Sequence, residues 1–349
     1  MADQRGSEVL QAAKAVVLEF YDALDAATGA DLTLVLEKFT TRDHHWRGMH
    51  PFYEQLGAQA VAEAFWKPFR HSFSSVQRRP DVFLAGYNDV DGGSTVWVCQ
   101  MGHLMGLFDE SWLDIPPTNR IGFLPYAEFH RLEGDLIAET VLFVDVISVM
   151  RQAGHYPLPP QTGASFVHPG PRTHDGLLID PQDTDASAST LALVNAMIAD
   201  LEAANQQAGA SGDDRVHPEF LEKSWHDDMV WMGPDGIGAT YTIDRYQQQH
   251  QYPFRFNLTD KRFNGHVARF AEGDYAAFFG WANLTNRATG GLMGLPASIE
   301  ADMRVVDVYR RSGDKLAENW IFIDILHWLS VQGLDVLQRM RQLIGIEEF

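Results

Sequence analysis

The sequence predicts an α+β fold built twice, and three observations carry that reading. A chain of 349 residues suits two domains. Each half shows helical periodicity first and a run of strand-like segments after it, the order of an α+β domain. One segment also occurs twice. EGDLIAETVLFVDVISVMRQAG over 133–154 and SGDKLAENWIFIDILHWLSVQG over 312–333 align without a gap. The spacing is about half the chain, so the repeating units are domains and not solenoid turns.

The first half opens with Val9, Ala12, Ala13, Val16, Val17, Phe20, Tyr21 and Leu24 at helical spacing, with Ser7 as the expected N-cap. A short helix is expected over 31–40, a strand near 44–49 and an Ala-rich helix over 57–69. Strand character then runs through DVFLAG, STVWVCQMGHLMGLF, IGFLPYAEFHRL and LIAETVLFVDVISVM. The second half repeats the order. Helices are expected over 191–206, 217–223 and 243–250, and WHDDMVWMG reads as a strand between the last two. The strands FNGHVARF, DYAAFFGWANLT, IEADMRVVDVYRR and KLAENWIFIDILHWL follow, with a closing helix over 334–343. Further paired anchors are Pro68-Phe69-Arg70 with Pro253-Phe254-Arg255, and Trp46-Arg47-Gly48 with Trp231-Met232-Gly233. Between the halves, 155–186 is rich in Pro, Gly, Asp and Thr and lacks periodicity. This gives domain 1 as 1–154, a linker as 155–186 and domain 2 as 187–349, with Phe166 and Leu177–Ile179 expected to pack on a domain surface.

Composition excludes several classes of function. A formal net charge of −20 argues against binding nucleic acid or an anionic membrane. Cys99 is the only cysteine, which excludes an intrachain disulfide and disfavours a thiolate metal site. Its apolar setting, TVWVCQM, makes it a core residue. The N-terminus lacks the pattern of a signal peptide, and no apolar run approaches a membrane span, so a cytoplasmic protein is expected. No P-loop, Rossmann glycine pattern or G-x-S-x-G is present.

Each half resembles the SnoaL-like polyketide cyclases of the nuclear transport factor 2-like superfamily. The first half supplies Gly102-His103 and Ile115-Pro116-Pro117-Thr118, then His130-Arg131, Gly134-Asp135-Leu136-Ile137, Glu139, Asp145 and Gly154. The second supplies Gly294-Leu295-Pro296, then Tyr309-Arg310, Gly313-Asp314-Lys315-Leu316, Glu318, Trp320, Asp324 and Gln332-Gly333. The family's last strand reads similarly, as F-R-x-x-x-G-K-I-x-E-x-W-x-x-x-D. Val141 stands where the first half would carry that Trp, and the Pro-Pro-Thr signature is degraded in the second half. The resemblance implies two tandem cone-shaped α+β barrel domains, each a curved mixed sheet wrapped by helices, forming a pseudo-dimer within one chain. Further homo-oligomerisation stays open.

The resemblance also implies acid/base closure of a carbon ring without a metal or other cofactor, with Asp324 and Asp145 as the catalytic residues. On a strand, Trp320, Phe322 and Asp324 share a face, as do Val141, Phe143 and Asp145. A carboxyl group among such side chains loses hydration and titrates nearer neutrality, which suits a general acid/base; ketosteroid isomerase uses such carboxyl groups. The alternative is that each Asp caps the turn that follows its strand. His130 and Tyr309 hold matching positions on the neighbouring strand, placed to bond an enolate oxygen or the Asp. His103, Trp320, Trp46, Trp231 and His50 are the other expected substrate contacts. The local density of His44, His45 and His50 lacks a metal-ligand spacing, so no metal is expected. The expected function is a cofactor-free cyclase, isomerase or dehydratase acting on a small carbonyl-containing or polyketide-like compound. The alternative is a small-molecule binding protein without turnover.

Overall fold

A computed structural model describes residues 2–29, 31–211 and 217–346. The chain divides into two compact units. Unit 1 takes Met1–Pro157, Pro169–Pro181 and Asp335–Phe349; unit 2 takes Leu158–His168 and Gln182–Leu334. The connecting segment is therefore shared between the units, and the closing helix belongs to unit 1.

In unit 1, α1 (Ala2–Ala26) and α2 (Asp31–Phe39) precede β1 (Thr40–Gly48) and β2 (Glu54–Leu56). Next come α3 (Ala58–Val61) and α4 (Lys67–Ser72), joined by one π-helical turn, Ala62–Trp66. The strands β3 (Phe73–Tyr87), β4 (Val96–Phe108), β5 (Ile121–Glu133) and β6 (Leu136–Val144) then lead to α5 (Val146–Gln152). The sheet order is β2-β1-β6-β5-β4-β3, with β1 parallel to β6 and every other pair antiparallel.

Unit 2 opens with α6 (Thr184–Ser211), α7 (Pro218–Glu222), β7 (Trp225–Met232) and β8 (Thr240–Tyr241). The helices α8 (Ile243–Tyr246) and α9 (Tyr252–Phe256) are again joined by a π turn, Gln247–Gln251. The strands β9 (Leu258–Phe263), β10 (Ala268–Glu272), β11 (Tyr275–Thr289), β12 (Ala297–Ser312) and β13 (Lys315–Ile323) follow, then α10 (Ile325–Val331). The path is β8-β7-β13-β12-β11-β10, with β9 also paired to β11 and β7 parallel to β13. Both units are thus α+β with a mixed sheet and accompanying helices, and both follow one strand path, with β9 and β10 standing where unit 1 has the single strand β3. The sheets stay open, ending at β2 and β3 or at β8 and β10, and do not close as barrels. The last helix, α11 (Val336–Ile344), returns to unit 1, where Arg341 Nε pairs with Asp114 Oδ2 at 2.7 Å.

Besides the expected barrels, which are open sheets, three sequence expectations change. The first helix begins before Ser7, so Ser7 does not cap it. The strands drawn through Asp145 and Asp324 stop one residue before each Asp, and a helix starts one residue after it. The apolar run continues, but its period shifts from strand to helix because the Asp side chain caps the next turn. Finally, the strand expected over FNGHVARF is interrupted between Phe263 and Ala268.

The repeated motifs are largely structural devices. Gly134 and Gly313 both have φ of 63° in the hairpin turns between the last two strands, a region that favours glycine. Arg131 faces Glu139 across its hairpin, and Arg310 faces Glu318, and both pairs are ion pairs. In Trp46-Arg47-Gly48 and Trp231-Met232-Gly233 the indole lies against the glycine, where a Cβ would overlap the ring. The 169–181 segment packs on unit 1: Phe83 N donates to Gly176 O, Leu178 N to Phe83 O, and the buried Lys14 Nζ to Leu178 O at 2.6 Å.

Candidate functional site

Alternate residues of β5 and of β12 are buried polar side chains within otherwise apolar strands. Paired strand residues point to the same face, and successive ones to opposite faces. On β5 this puts Tyr126, Glu128 and His130 on one face, with their partners Gly102, Gln100 and Val98 of β4 and Thr140 of β6. On β12 it puts Asp307 and Tyr309 on one face, with Phe278 of β11 and Asn319 of β13.

In unit 2 the centre is Asp307, which is 6% exposed. Asn319 Nδ2 donates to Asp307 Oδ1 at 3.1 Å and to Val308 O at 3.2 Å. The Tyr309 hydroxyl also hydrogen-bonds the Asp307 carboxyl. No Lys or Arg among the described residues pairs with it. Burial therefore dominates and pushes the Asp307 carboxyl up to about 7, with the Asn319 and Tyr309 bonds opposing part of that rise. Burial, then the Asp307 charge, pushes the hydroxyls of Tyr309 and Tyr246 up as well, so both phenols stay protonated donors. The surroundings are aromatic: Tyr309 contacts Trp225 and Phe278 with ring centroids 5.7 and 5.5 Å apart. Trp231 stacks on His250 at 4.0 Å and touches Tyr246 at 5.6 Å. Burial pulls His250 down to about 3, so its ring is neutral.

In unit 1 the corresponding face holds a longer polar network. Burial alone would raise the Glu128 carboxyl, but His130, Arg78 and Tyr21 outweigh it and hold Glu128 below its usual range. Arg78 Nη1 donates to Glu128 Oε2 at 3.4 Å, and Tyr126 donates to Gln100 Oε1 at 2.5 Å. His130 Nε2 lies 2.8 Å from the Tyr21 hydroxyl, and His130 Nδ1 lies 2.9 Å from Thr140 Oγ1. His44 Nε2 lies 2.9 Å from that same oxygen. The ionised Glu128 can only accept, so Tyr21 donates to it. With its one proton spent on Glu128, Tyr21 accepts from His130 Nε2–H, and the Thr140 hydroxyl links the rings of His130 and His44. Burial, then the neighbouring histidines, pulls His44 down to about 3, which suits this neutral ring.

The residues singled out from sequence fall into three groups. Tyr309 and Trp231 join the Asp307 cluster, and His130 joins the Glu128 network. Trp46 is fully buried in unit 1 at a position paired with Thr140, against Phe65. Trp320 pairs with Val308, and His103 pairs with Pro125, so each points to the opposite face from the polar cluster of its unit. His103 Nδ1 instead meets Asp81 Oδ2 at 3.3 Å. His50 lies edge-on to Tyr53 in the turn after β1. Asp145 and Asp324 are N-caps: Ser148 N donates to Asp145 Oδ1 at 2.9 Å, and His327 N to Asp324 Oδ1 at 3.1 Å. Arg304 Nη1 adds an ion pair to the fully buried Asp324 at 3.3 Å. A carboxylate held by a helix terminus and a guanidinium is poorly suited to accept a substrate proton.

Sequence reasoning missed Asp307, Asn319, Tyr246, Glu128, Arg78, Tyr126 and Gln100. The available signal was a polar residue at every second position of β5 and β12 within otherwise apolar strands. Cys99 is buried as expected. Among the described residues no group of three or more His, Cys, Asp or Glu is arranged to hold a metal ion, and no helix is long and apolar enough to cross a membrane. A separate groove of about 550 Å³ in unit 2 is lined by Phe166, Val230, Tyr241 and Arg245. Val230 alternates with Trp231, so this groove lies on the other face of the sheet from Asp307.

No family profile and no curated protein matches the chain. Among solved structures it is similar to a protein named as a SnoaL-like polyketide cyclase from Jannaschia sp. CCS1, at 20% identity and a TM-score of 0.33, over 43% of this chain and 94% of that one. It is similar to an NTF2-like protein from Burkholderia xenovorans LB400 at 13% identity and a TM-score of 0.31, over 42% and 97%. It is also similar to IdmH from Streptomyces antibioticus, named as a polyketide cyclase, at 19% identity and a TM-score of 0.30, over 39% and 98%. The chain is thus similar to solved SnoaL-like polyketide cyclases and NTF2-like proteins, each spanning about two fifths of its length.

Proposed function

We propose that unit 2 is an acid/base site of cyclase or isomerase type for a small carbonyl compound, with Asp307 as the group that moves the proton. The observation that carries the reading is a desolvated carboxyl that titrates near neutrality beside two protonated phenols. At neutral pH a useful fraction of Asp307 is ionised and can take a proton from the carbon next to a carbonyl. The carbonyl oxygen gains the charge, and Tyr309 or Tyr246 donates a hydrogen bond to it. The protonated Asp307 then returns the proton, to a second carbon in an isomerisation or to the new alkoxide in an aldol closure. Asn319 holds the carboxyl in place, and Trp225, Phe278 and Trp231 keep bulk water away and favour a flat apolar substrate. Asp324, expected from sequence to do this work, acts in our reading through the helix it caps.

The test needs no natural substrate. Exchange of the α-hydrogens of 2-tetralone in D2O, followed by proton NMR, should run faster with the protein than in buffer alone. Asp307→Asn should lose about 10²–10⁴ of the protein-dependent rate. Full exchange by a folded Asp307→Asn protein would end the proposal.

A further inference from the structure

We propose that unit 2 carries a second site: the groove beside Tyr241, on the sheet face away from Asp307, binds a singly charged apolar carboxylate. It rests on the groove alone and does not depend on the role given to Asp307.

A strand of the connecting segment is fixed along the β8 edge and helps to form the groove. Gly163 N donates to Ile237 O at 2.9 Å, Ala164 and Ala239 exchange two backbone bonds of 2.8 Å, and Ser165 Oγ donates to Asp235 Oδ1 at 2.8 Å. A Cβ on Gly163 would lie 2.5 Å from Gly238 C, so glycine permits this close approach. Ala164 and Phe166 thereby join Val230, Ala239 and Tyr241 around a volume of about 550 Å³, the size of a small-molecule site. Phe166 is 50% exposed and Tyr241 57%. Both rings thus offer apolar area to a ligand.

The head group follows from Arg245, the one Lys or Arg that lines the groove. Its Nη1 donates to Gln248 Oε1 at 2.8 Å. No Asp or Glu among the described residues pairs with it. The Nε–Nη2 edge of the guanidinium is open, and that edge matches the two oxygens of a carboxylate. One cation balances one negative charge. A phosphate monoester would bring about two, into a chain of net charge −20 and with no second cation lining the groove. The fold itself does not demand this chemistry. With Trp46 matched to Trp231, His45, Glu54 and Ala60 of unit 1 stand where unit 2 has Val230, Ala239 and Arg245. His45 and Glu54 pair with each other at 2.8 Å, so the same place in unit 1 is polar and has no arginine.

The full chain should be titrated by calorimetry with octanoate and 2-naphthoate, the aliphatic and aromatic forms of such a ligand, and with octanamide, 2-naphthamide and acetate. At least one of the two apolar acids should bind saturably, and the tighter one identifies the tail. Its amide should bind about ten-fold more weakly, and acetate more weakly still. Arg245→Gln should weaken the acid about ten-fold and leave the amide unchanged, whereas Phe166→Ser should weaken both. Asp307→Asn should bind the acid as the wild type does. No saturable binding of either acid, equal binding of acid and amide, or unchanged affinity in a folded Arg245→Gln or Phe166→Ser protein would overturn the proposal. Loss of binding in a folded Asp307→Asn protein would place the acid on the other sheet face and overturn it too. So would a dimer that binds neither acid and dissociates in Phe166→Ser, because a second copy would then occupy the groove.

Discussion

Asn319 Nδ2 and Asp307 Oδ1 lie 3.1 Å apart across the β12–β13 hairpin, in the place where unit 1 sets Thr140 beside His130. The amide donates to the carboxyl without adding charge. Asp307 is thereby fixed in orientation yet remains easy to protonate, a combination that an arginine partner would destroy.

If that bond positions the carboxyl, Asn319→Ala should raise the apparent pKa of 2-tetralone exchange and lower its rate, while Asn319→Asp should raise the pKa further through like-charge repulsion. A pH–rate profile with its acidic limb near 7 in the wild type, displaced upward in both variants, is the expected result.

Asp307 should also be a stability liability. Its folded-state carboxyl titrates near 7, against about 3.9 in an unfolded chain. The native state holds the extra proton between those values, so this residue makes stability fall as pH rises from about 4 to 7 and remain lower above that. The difference is on the order of 4 kcal/mol. Asp307→Asn should therefore unfold at a higher temperature than wild type at pH 8, and the advantage should shrink by pH 4.

The histidines act in the opposite direction. His44, His250 and His266 are all drawn down to about 3, chiefly by burial, so the unfolded chain binds three protons that the native chain refuses. Their contribution is complete above about pH 6.5 and is lost as pH falls toward 3. Three such groups outweigh the single Asp307, and the melting temperature should drop on acidification from pH 7 to pH 4. Replacing His250, stacked on Trp231, with Phe should reduce that drop.

Asp324 tests the cap role. Asp324→Ala should cost about 1–2 kcal/mol for the lost cap, with a further loss from removing one of the two carboxylates, Asp324 and Asp302, that face Arg304. Asp324→Asn should keep much of the capping bond and most of the 2-tetralone exchange. If Asp324→Asn abolished exchange and Asp307→Asn did not, the two residues would trade roles.

At Gly48 and Gly233 the expected outcome is purely structural. Alanine at either site would push its Cβ into the neighbouring indole, so Gly48→Ala and Gly233→Ala should each lower the melting temperature, read by calorimetry.

The fold was legible because its signals are local. Hairpin glycines, cross-strand Arg–Glu pairs and strand-ending Asp residues depend on near neighbours, and these are what the two halves share. The chemistry was harder to read. Asp307 and Glu128 sit at one strand position, and neither stands out until the register brings Asn319, Tyr246, Arg78 and Tyr21 to them from distant segments. In sequence, the apolar surroundings of Asp145 and Asp324 resemble a desolvated site. The same apolar run continues into a helix, and the Asp is spent on its first turn. His130 and Tyr309 are legible in sequence at matching positions, and they lie two residues beyond Glu128 and Asp307 on the same strand faces.

Unit 1 is assembled from pieces at opposite ends of the chain, with the segment from Asp335 onward joining it last. During synthesis this unit must wait, with its sheet lacking α11, while every residue of unit 2 leaves the ribosome. Unit 2 has no such debt and can close first. Domains generally fold as units in the order of their synthesis. Here that order is reversed for the final step: the half of the protein that is made first is the half that is finished last.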